Sequence, residues 1–230
     1  KHMALMFFQK LHRKWMKLRL QPIRVFCLHH VCEQFDVDAM YACDWMALDA
    51  FKKKINELRN QGYQFISLTE AYEHLKKDRF RYKKYAVLTF DDGYKSLLEL
   101  LPWLEEQNIS ATLFINGKYL DGESYRETPE EQYLTYEELF ALTSPLIEVG
   151  HHGWEHKSVH HIDKKEFENS IECNLEILSK HPRYIPFWAY TWGQNNNMSN
   201  SMLHLYNMTP LVMTGGKNYI FNGFIDRELL

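Results

Sequence analysis

The fold is decided by Tyr85-Ala86-Val87-Leu88-Thr89-Phe90-Asp91-Asp92-Gly93. An apolar strand, Tyr85–Phe90, runs into two adjacent carboxylates and a glycine. Two neighbouring buried carboxylates repel, and their ionisation is costly unless a cation or a proton intervenes. A metal on one would leave the other ionised beside it. The same three residues also read, more plainly, as an Asp-Asp-Gly turn closing a strand.

Outward from this run, similar short β-branched and aromatic stretches occur at Ile23–Leu28, Tyr63–Leu68, Ala111–Ile115, Leu146–Val149, Tyr184–Tyr190 and Leu211–Thr214. Helical spacing fills the gaps. Asp44–Asn60 carries Trp45, Leu48, Phe51, Ile55 and Leu58 at steps of three and four. Thr69–Lys77 opens on a Thr69-Glu70 cap, and Lys95–Gln107, Thr135–Leu142 and Asp163–Lys180 follow, the last with Asp163 as N-cap. Strands alternating with helices predict an α/β fold with a parallel sheet. No glycine-rich dinucleotide turn follows the first strand, which favours a distorted (β/α) barrel of about seven strands over an open sheet. With no internal repeat or linker, residues 22–230 form a single domain. Residues 117–133 are the longest polar connection, a length often tied to function.

Composition sets the outer bounds. The chain has 230 residues, 45% hydrophobic and 25% charged, enough to bury a sizeable core. Aromatic residues make up 15%, with only 10 Gly and 7 Pro, which excludes a disordered chain. No run of 18 apolar residues exists, so no membrane-spanning helix is expected. A net charge of −3 and a pI near 6.5 speak against nucleic acid as a partner. Cys27, Cys32, Cys43 and Cys173 form no C-x-x-C pair and read as reduced thiols, which predicts a cytoplasmic protein. Ala4–Phe8 is too short for a signal h-region. Lys1-His2-Met3 reads as an added leader, so removal of a natural signal or anchor stays open.

Residues 1–21 differ from the rest. Phe8, Leu11, Trp15 and Leu18 recur at steps of three and four, with Lys10, Arg13, Lys14 and Lys17 elsewhere on the wheel. This predicts a basic amphipathic helix. Either it lies on an anionic membrane through residues 4–20, suiting a lipid-linked substrate, or it packs on the barrel and shows its basic face to water.

In parallel α/β folds, chemistry sits at the C-terminal ends of strands. A second candidate there is His151-His152-Gly153-Trp154-Glu155-His156. Five of the twelve histidines lie within residues 151–161. His152 and His156 have a spacing that lets two imidazoles converge on one ion, whereas His151, His160 and His161 read as solvated loop residues. Asp92, His152 and His156 together would make a two-histidine, one-carboxylate metal site with open positions. Zinc hydrolases and non-haem iron oxygenases both use such sets, and the spare carboxylate of Asp91 favours hydrolysis. His29, ending the first strand, is a proton-donor candidate, but taken alone it reads more readily as a satisfied core or surface histidine. In Phe187–Gly193, aromatic side chains would stack on a flat ligand and turn N–H groups would bind an oxyanion, with core packing as the bland alternative. Tyr190, Trp192 and Trp154 are the oxyanion or substrate-binding candidates.

Thr89-Phe90-Asp91-Asp92-Gly93, then Gly150–His156, then Phe187–Gly193, resembles the polysaccharide deacetylase (NodB-homology) family, carbohydrate esterase family 4, in motif order and spacing from about residue 22 onward. The resemblance implies a distorted (β/α) barrel and metal-dependent removal of acetyl groups from N-acetylated sugars. It implies Asp91 as catalytic base and Asp92, His152 and His156 as ligands, with Zn2+ the usual metal. Val25–Val31 further resembles the start of the circularly permuted poly-N-acetylglucosamine deacetylase branch, which implies His29 as general acid. Tyr190-Thr191-Trp192-Gly193 resembles that branch's Y-P-Y-G turn. Thr191 replaces the usual proline, which predicts a less rigid turn, and Leu28 replaces a tyrosine. The family's usual motif arginine is missing, and Arg227 is the candidate to orient Asp91 instead. Hydrolysis of another amide, or glycan binding without catalysis on the same fold, are the alternative readings.

Overall fold

The computed structural model describes residues 20–33, 45–77, 81–121 and 133–230. In chain order the elements are β1 (Ile23–Leu28), β2 (His30–Cys32), β3 (Trp45–Ala47), α1 (Leu48–Asn60), β4 (Tyr63–Phe65), α2 (Leu68–Lys77), β5 (Lys84–Phe90), α3 (Leu97–Glu106), β6 (Ala111–Ile115), α4 (Tyr136–Ala141), β7 (Ile147–His151), α5 (Lys164–Leu178), β8 (Tyr184–Ala189), α6 (Asn197–Leu205), β9 (Thr209–Val212), β10 (Lys217–Asn218), β11 (Ile225–Asp226) and β12 (Glu228–Leu229).

The main sheet runs β10-β1-β5-β6-β7-β8-β9-β11, with β4 beside β5. Its central strands, β1, β5, β6, β7, β8 and β9, are all parallel neighbours. β11 pairs with β9 and β12 pairs with β1, so residues 225–229 bridge the two ends of the wall. The result is a nearly closed α/β barrel, as the alternation predicted. Asn218 reinforces the closure: its amide donates to the Asp226 carbonyl at 2.7 Å and accepts from the Asp226 N–H at 2.8 Å.

Side-chain alternation sorts the core. Ile23, Val25, Val87, Phe114, Phe187, Ala189, Leu211 and Ile225 share one buried cluster inside the wall, joined by Leu68, Ala71 and Leu75 of α2. The intervening residues, such as Phe26, Leu88, Leu113 and Val149, meet α1 and α3. A buried glutamate, Glu148, accepts from the backbone N–H of Leu68 at 3.0 Å and of Thr69, and from the Thr112 hydroxyl at 3.2 Å. A carboxylate at the start of α2 answers both the free N–H groups and the helix dipole.

Several element limits differ from expectation, each for a local reason. The strand predicted over Tyr63–Leu68 stops at Phe65, because Ser67 rather than Thr69 caps α2, its hydroxyl accepting from Glu70 N–H at 3.1 Å. The helix predicted from Asp44 begins at Leu48, since Trp45–Ala47 pairs with β2. Asp163 caps α5 as predicted, accepting from Glu166 N–H at 2.9 Å. Of the connection 117–133, residues Gly117–Asp121 form a 3-10 turn, and 122–132 lie outside the described residues. The amphipathic helix predicted over 1–21 also lies outside them, apart from its end: Leu20 bridges to Arg81 and Gln21 N–H donates to the Arg81 carbonyl, an extended pairing rather than a helical turn. Among the described residues no helix is long and apolar enough to cross a membrane.

Candidate active site

Asp91 and Asp92 follow β5 directly. Asp91 N–H donates to the Leu28 carbonyl at 2.9 Å, which ties the turn to the end of β1. Asp92 and Gly93 both have left-handed φ, 70° and 77°. Asp is among the few residues other than Gly to adopt that region readily.

His152 follows β7, and its N–H is held by the Ile115 carbonyl at the end of β6. Its Nδ1 lies 2.9 Å from the Ala189 carbonyl, which fixes the ring and leaves Nε2 facing the aspartates. Nε2 is 3.4 Å from Asp92 Oδ1, and His156 Nε2 is 3.1 Å from the same oxygen. Asp92, His152 and His156 each present a ligand atom within 4.8 Å of the others. Asp92 Oδ1 is buried, accepts no hydrogen bond, and is faced by two imidazole nitrogens. A buried charged oxygen without a donor is costly, and a divalent cation coordinated by these three atoms would remove the cost. The donor set therefore fits a metal of the zinc type.

Asp91 is fixed from the other side by Arg227, which donates from Nη1 to Oδ1 at 2.6 Å and from Nη2 to Oδ2 at 2.9 Å. Arg227 is itself buried, sits between β11 and β12, and also donates to the Thr89 hydroxyl at 3.2 Å. The Cys27 thiol donates to Asp91 Oδ2 at 3.4 Å. Burial pushes the Asp91 carboxyl up, but the charges of Arg227 and His152 and the Arg227 fork outweigh it and bring its pKa down to about 2. Asp92 is likewise held well below the carboxylate range, burial being overcome by His156 and His152. His152 is lowered by burial, in part offset by the two aspartates. His29, Cys27 and Asp91 also each present a ligand atom within 4.8 Å of the others. With a guanidinium on both Asp91 oxygens, this second group is poorly suited to a cation, but it sets the His29 ring beside the base. That proximity follows from register: Cys27 pairs with Thr89 across β1 and β5, so the residues two further on emerge side by side.

Other predicted residues are placed differently. Tyr190 continues the outward alternation of Trp188. Its ring is buried among Met202, Leu203 and Phe167 with its hydroxyl donating to Asn200 Oδ1 at 2.9 Å, so its side chain faces the helix layer. The Trp154 indole is laid against Gly117, where a Cβ would stand 2.8 Å from the ring. Trp192 does stand at the mouth: it is 61% exposed, has φ of 59°, and its ring centroid lies 5.2 Å from that of His156. His151 is buried rather than solvated, lying within 3.0 Å of the Tyr184 hydroxyl and stacked on Trp188, and burial takes its pKa down to about 3.

Thr191 ties its turn down: its hydroxyl donates to the His152 carbonyl at 3.0 Å. Asn116 donates to the same carbonyl at 2.8 Å. Asn116 carries no signal in the sequence and Thr191 enters there only as the residue in place of proline, while Thr89 and Cys27 have no site role there. The first two act on a backbone oxygen, and such contacts leave no spacing signature.

With this geometry in hand, comparison with known proteins gives one decisive result. The polysaccharide deacetylase family model matches residues 78–211, more than half the chain. The chain belongs to that family. YxkH of Bacillus subtilis (strain 168) is 25% identical over 141 residues, and this deacetylase-family chain spans about half of that relative's length. Among solved structures, IcaB from Ammonifex degensii superposes with a TM-score of 0.75 at 19% identity, covering 92% of this chain and 93% of that one. The deacetylase PplD of Streptococcus pyogenes gives 0.71 at 17%, covering 92% and 93%. A de-N-acetylase from Aggregatibacter actinomycetemcomitans gives 0.70 at 18%, covering 91% and 95%. At these identities the likeness shows the fold. His29 and Arg227 lie outside the residues matched by the family model, so their place in the site rests on the geometry above.

Proposed function

We propose that this chain is a metal-dependent hydrolase that removes N-acetyl groups from an N-acetylglucosamine-type glycan, releasing acetate. Family membership and a structural likeness to a de-N-acetylase support the substrate class. The observation that carries the reading is the orphaned Asp92 Oδ1 facing two imidazole nitrogens, with an arginine-forked carboxylate alongside.

Asp92, His152 and His156 would hold the cation, Zn2+ by its preference for such donors. Its Lewis acidity would polarise the amide carbonyl and acidify the attacking water. Asp91 accepts the proton of that water. Held low by Arg227 and His152, it stays ionised at neutral pH and so is able to accept that proton. Arg227 holds both Asp91 oxygens and keeps one lone-pair direction aimed into the site. His29, as imidazolium, gives its proton to the departing nitrogen. Amide and water thus become acetate and a free amine. Trp192, exposed beside His156, offers an apolar face to a sugar ring.

The test is acetate release from N-acetylglucosamine oligomers, with acetylated xylan as the O-acetyl comparison, alongside elemental analysis. Release from the oligomers with about one equivalent of bound metal supports the proposal. Metal-loaded protein that releases no acetate overturns it.

A further inference from the structure

In a barrel of this kind each strand is normally followed by a helix that covers its outer face. β9 is not. It leads through 213–216 into β10 and then the loop 219–224, with no helix between β9 and β11. Beside β9 the structure has a groove of about 860 Å3, within the range of ligand clefts. Its walls include Tyr72, Asn195, His204, Asn207, Thr214 and Phe224. Of its thirteen lining residues none is Asp, Glu, Lys or Arg, and they combine side-chain amides with aromatic rings. Such a lining suits a neutral, hydroxyl-rich ligand: amides satisfy hydroxyls, rings cover the apolar faces of sugars, and no charge is desolvated.

Two of its lining residues, Asn195 and Thr214, adjoin in the chain the turns that edge the candidate active site. They flank the close contact between Gly193 and Met213, where a Cβ on Gly193 would stand 2.6 Å from Met213 Cβ. Gly193 has φ of 64° and closes the turn that presents Trp192 beside His156. From there the lining follows β9 to its start at Thr209 and to Asn207.

We infer that the groove beside β9 is an accessory subsite for a distal stretch of the same glycan, which passes over Trp192 and down the groove. This rests on the glycan reading of the active site. The test is calorimetric binding of the N-acetylglucosamine dimer and hexamer to the whole chain, with acetate release measured on both. Phe224→Ala and His204→Ala remove partly exposed groove walls, and Leu205→Ala, 74% exposed and outside the lining, is the control. Loss of one stacking face is expected to weaken hexamer binding about five- to tenfold, with Leu205→Ala at wild-type affinity. Hexamer affinity that is unchanged in Phe224→Ala and His204→Ala overturns the inference, as does wild type that binds hexamer no better than dimer. Occupation of the groove by a protein or by residues 1–19 gives the same overturning result. If hexamer binding responds to Phe224→Ala while the metal-loaded protein releases no acetate, the accessory subsite stands and the deacetylase reading falls. Normal release with unresponsive binding means the converse.

Discussion

Replacing Arg227 by Met tests the site at its most electrostatically exposed point. The guanidinium and the Asp91 carboxylate are both buried, joined at 2.6 and 2.9 Å. Removing one partner of a buried pair typically costs about 3–5 kcal/mol, because the other charge is stranded. For a domain of this size each kcal/mol moves Tm by about 2–4 °C, so a fall of roughly 10 °C is expected at pH 7. The pH dependence identifies the cause. In the wild type Asp91 lies at about 2, below its ordinary 3.8. Its ionisation therefore stabilises the fold above pH 4, and that contribution fades as pH falls from 4 toward 2. In the variant, burial without Arg227 raises the Asp91 pKa, so its charge destabilises the fold at neutral pH and acid relieves it. The gap between the two melting curves should narrow steadily from pH 7 to pH 3. Arg227→Lys keeps the charge without the fork and should fall between them. Thermal unfolding monitored by circular dichroism across this pH range is the assay. A variant melting within 2 °C of wild type at pH 7, or a gap that does not change with pH, refutes the assignment of Arg227 as the counter-ion of the base.

Three further outcomes follow from the same geometry. Asp91→Asn should lower kcat for acetate release by about 10²–10⁴-fold while elemental analysis finds the metal retained; near-normal turnover would end the base assignment. His152→Ala should lose the metal, since it removes the ligand that Ala189 orients; full occupancy by elemental analysis contradicts the ligand set. Thr191→Val deletes the hydroxyl donated to the His152 carbonyl at 3.0 Å. It should lower metal affinity by about tenfold, the low end for loss of a supporting contact, in a chelator competition titration. Unaltered affinity there would mean that Asn116 alone suffices.

Legibility followed how local each signal was. The β5 run with its Asp-Asp-Gly end, and the His152/His156 pair, are readable because strand, turn and candidate ligand lie within a few residues of one another. The closing segment 225–229 was not. β11 and β12 have two residues each, and their pairing with β9 and β1 is invisible to any window of sequence. Arg227 was therefore only a candidate by default. Tyr190 shows the opposite limit. An aromatic at a strand end can face a ligand or the helix layer, and the choice turns on alternation parity, which a shift of one residue in the strand boundary reverses. The β8 register sends Trp188 and Tyr190 outward together, with Ala189 left inside.

The bridging segment couples shape to reactivity. Its backbone joins β9 to β1, and its central side chain is Arg227. Sealing the cylinder and fixing the Asp91 carboxylate are therefore a single event. Warming that frees this short seam, held by few rungs and by Asn218, would disarm the protein while most of the scaffold still stood. Loss of turnover would then come before the melt, and would serve as a gauge of whether the cylinder is shut.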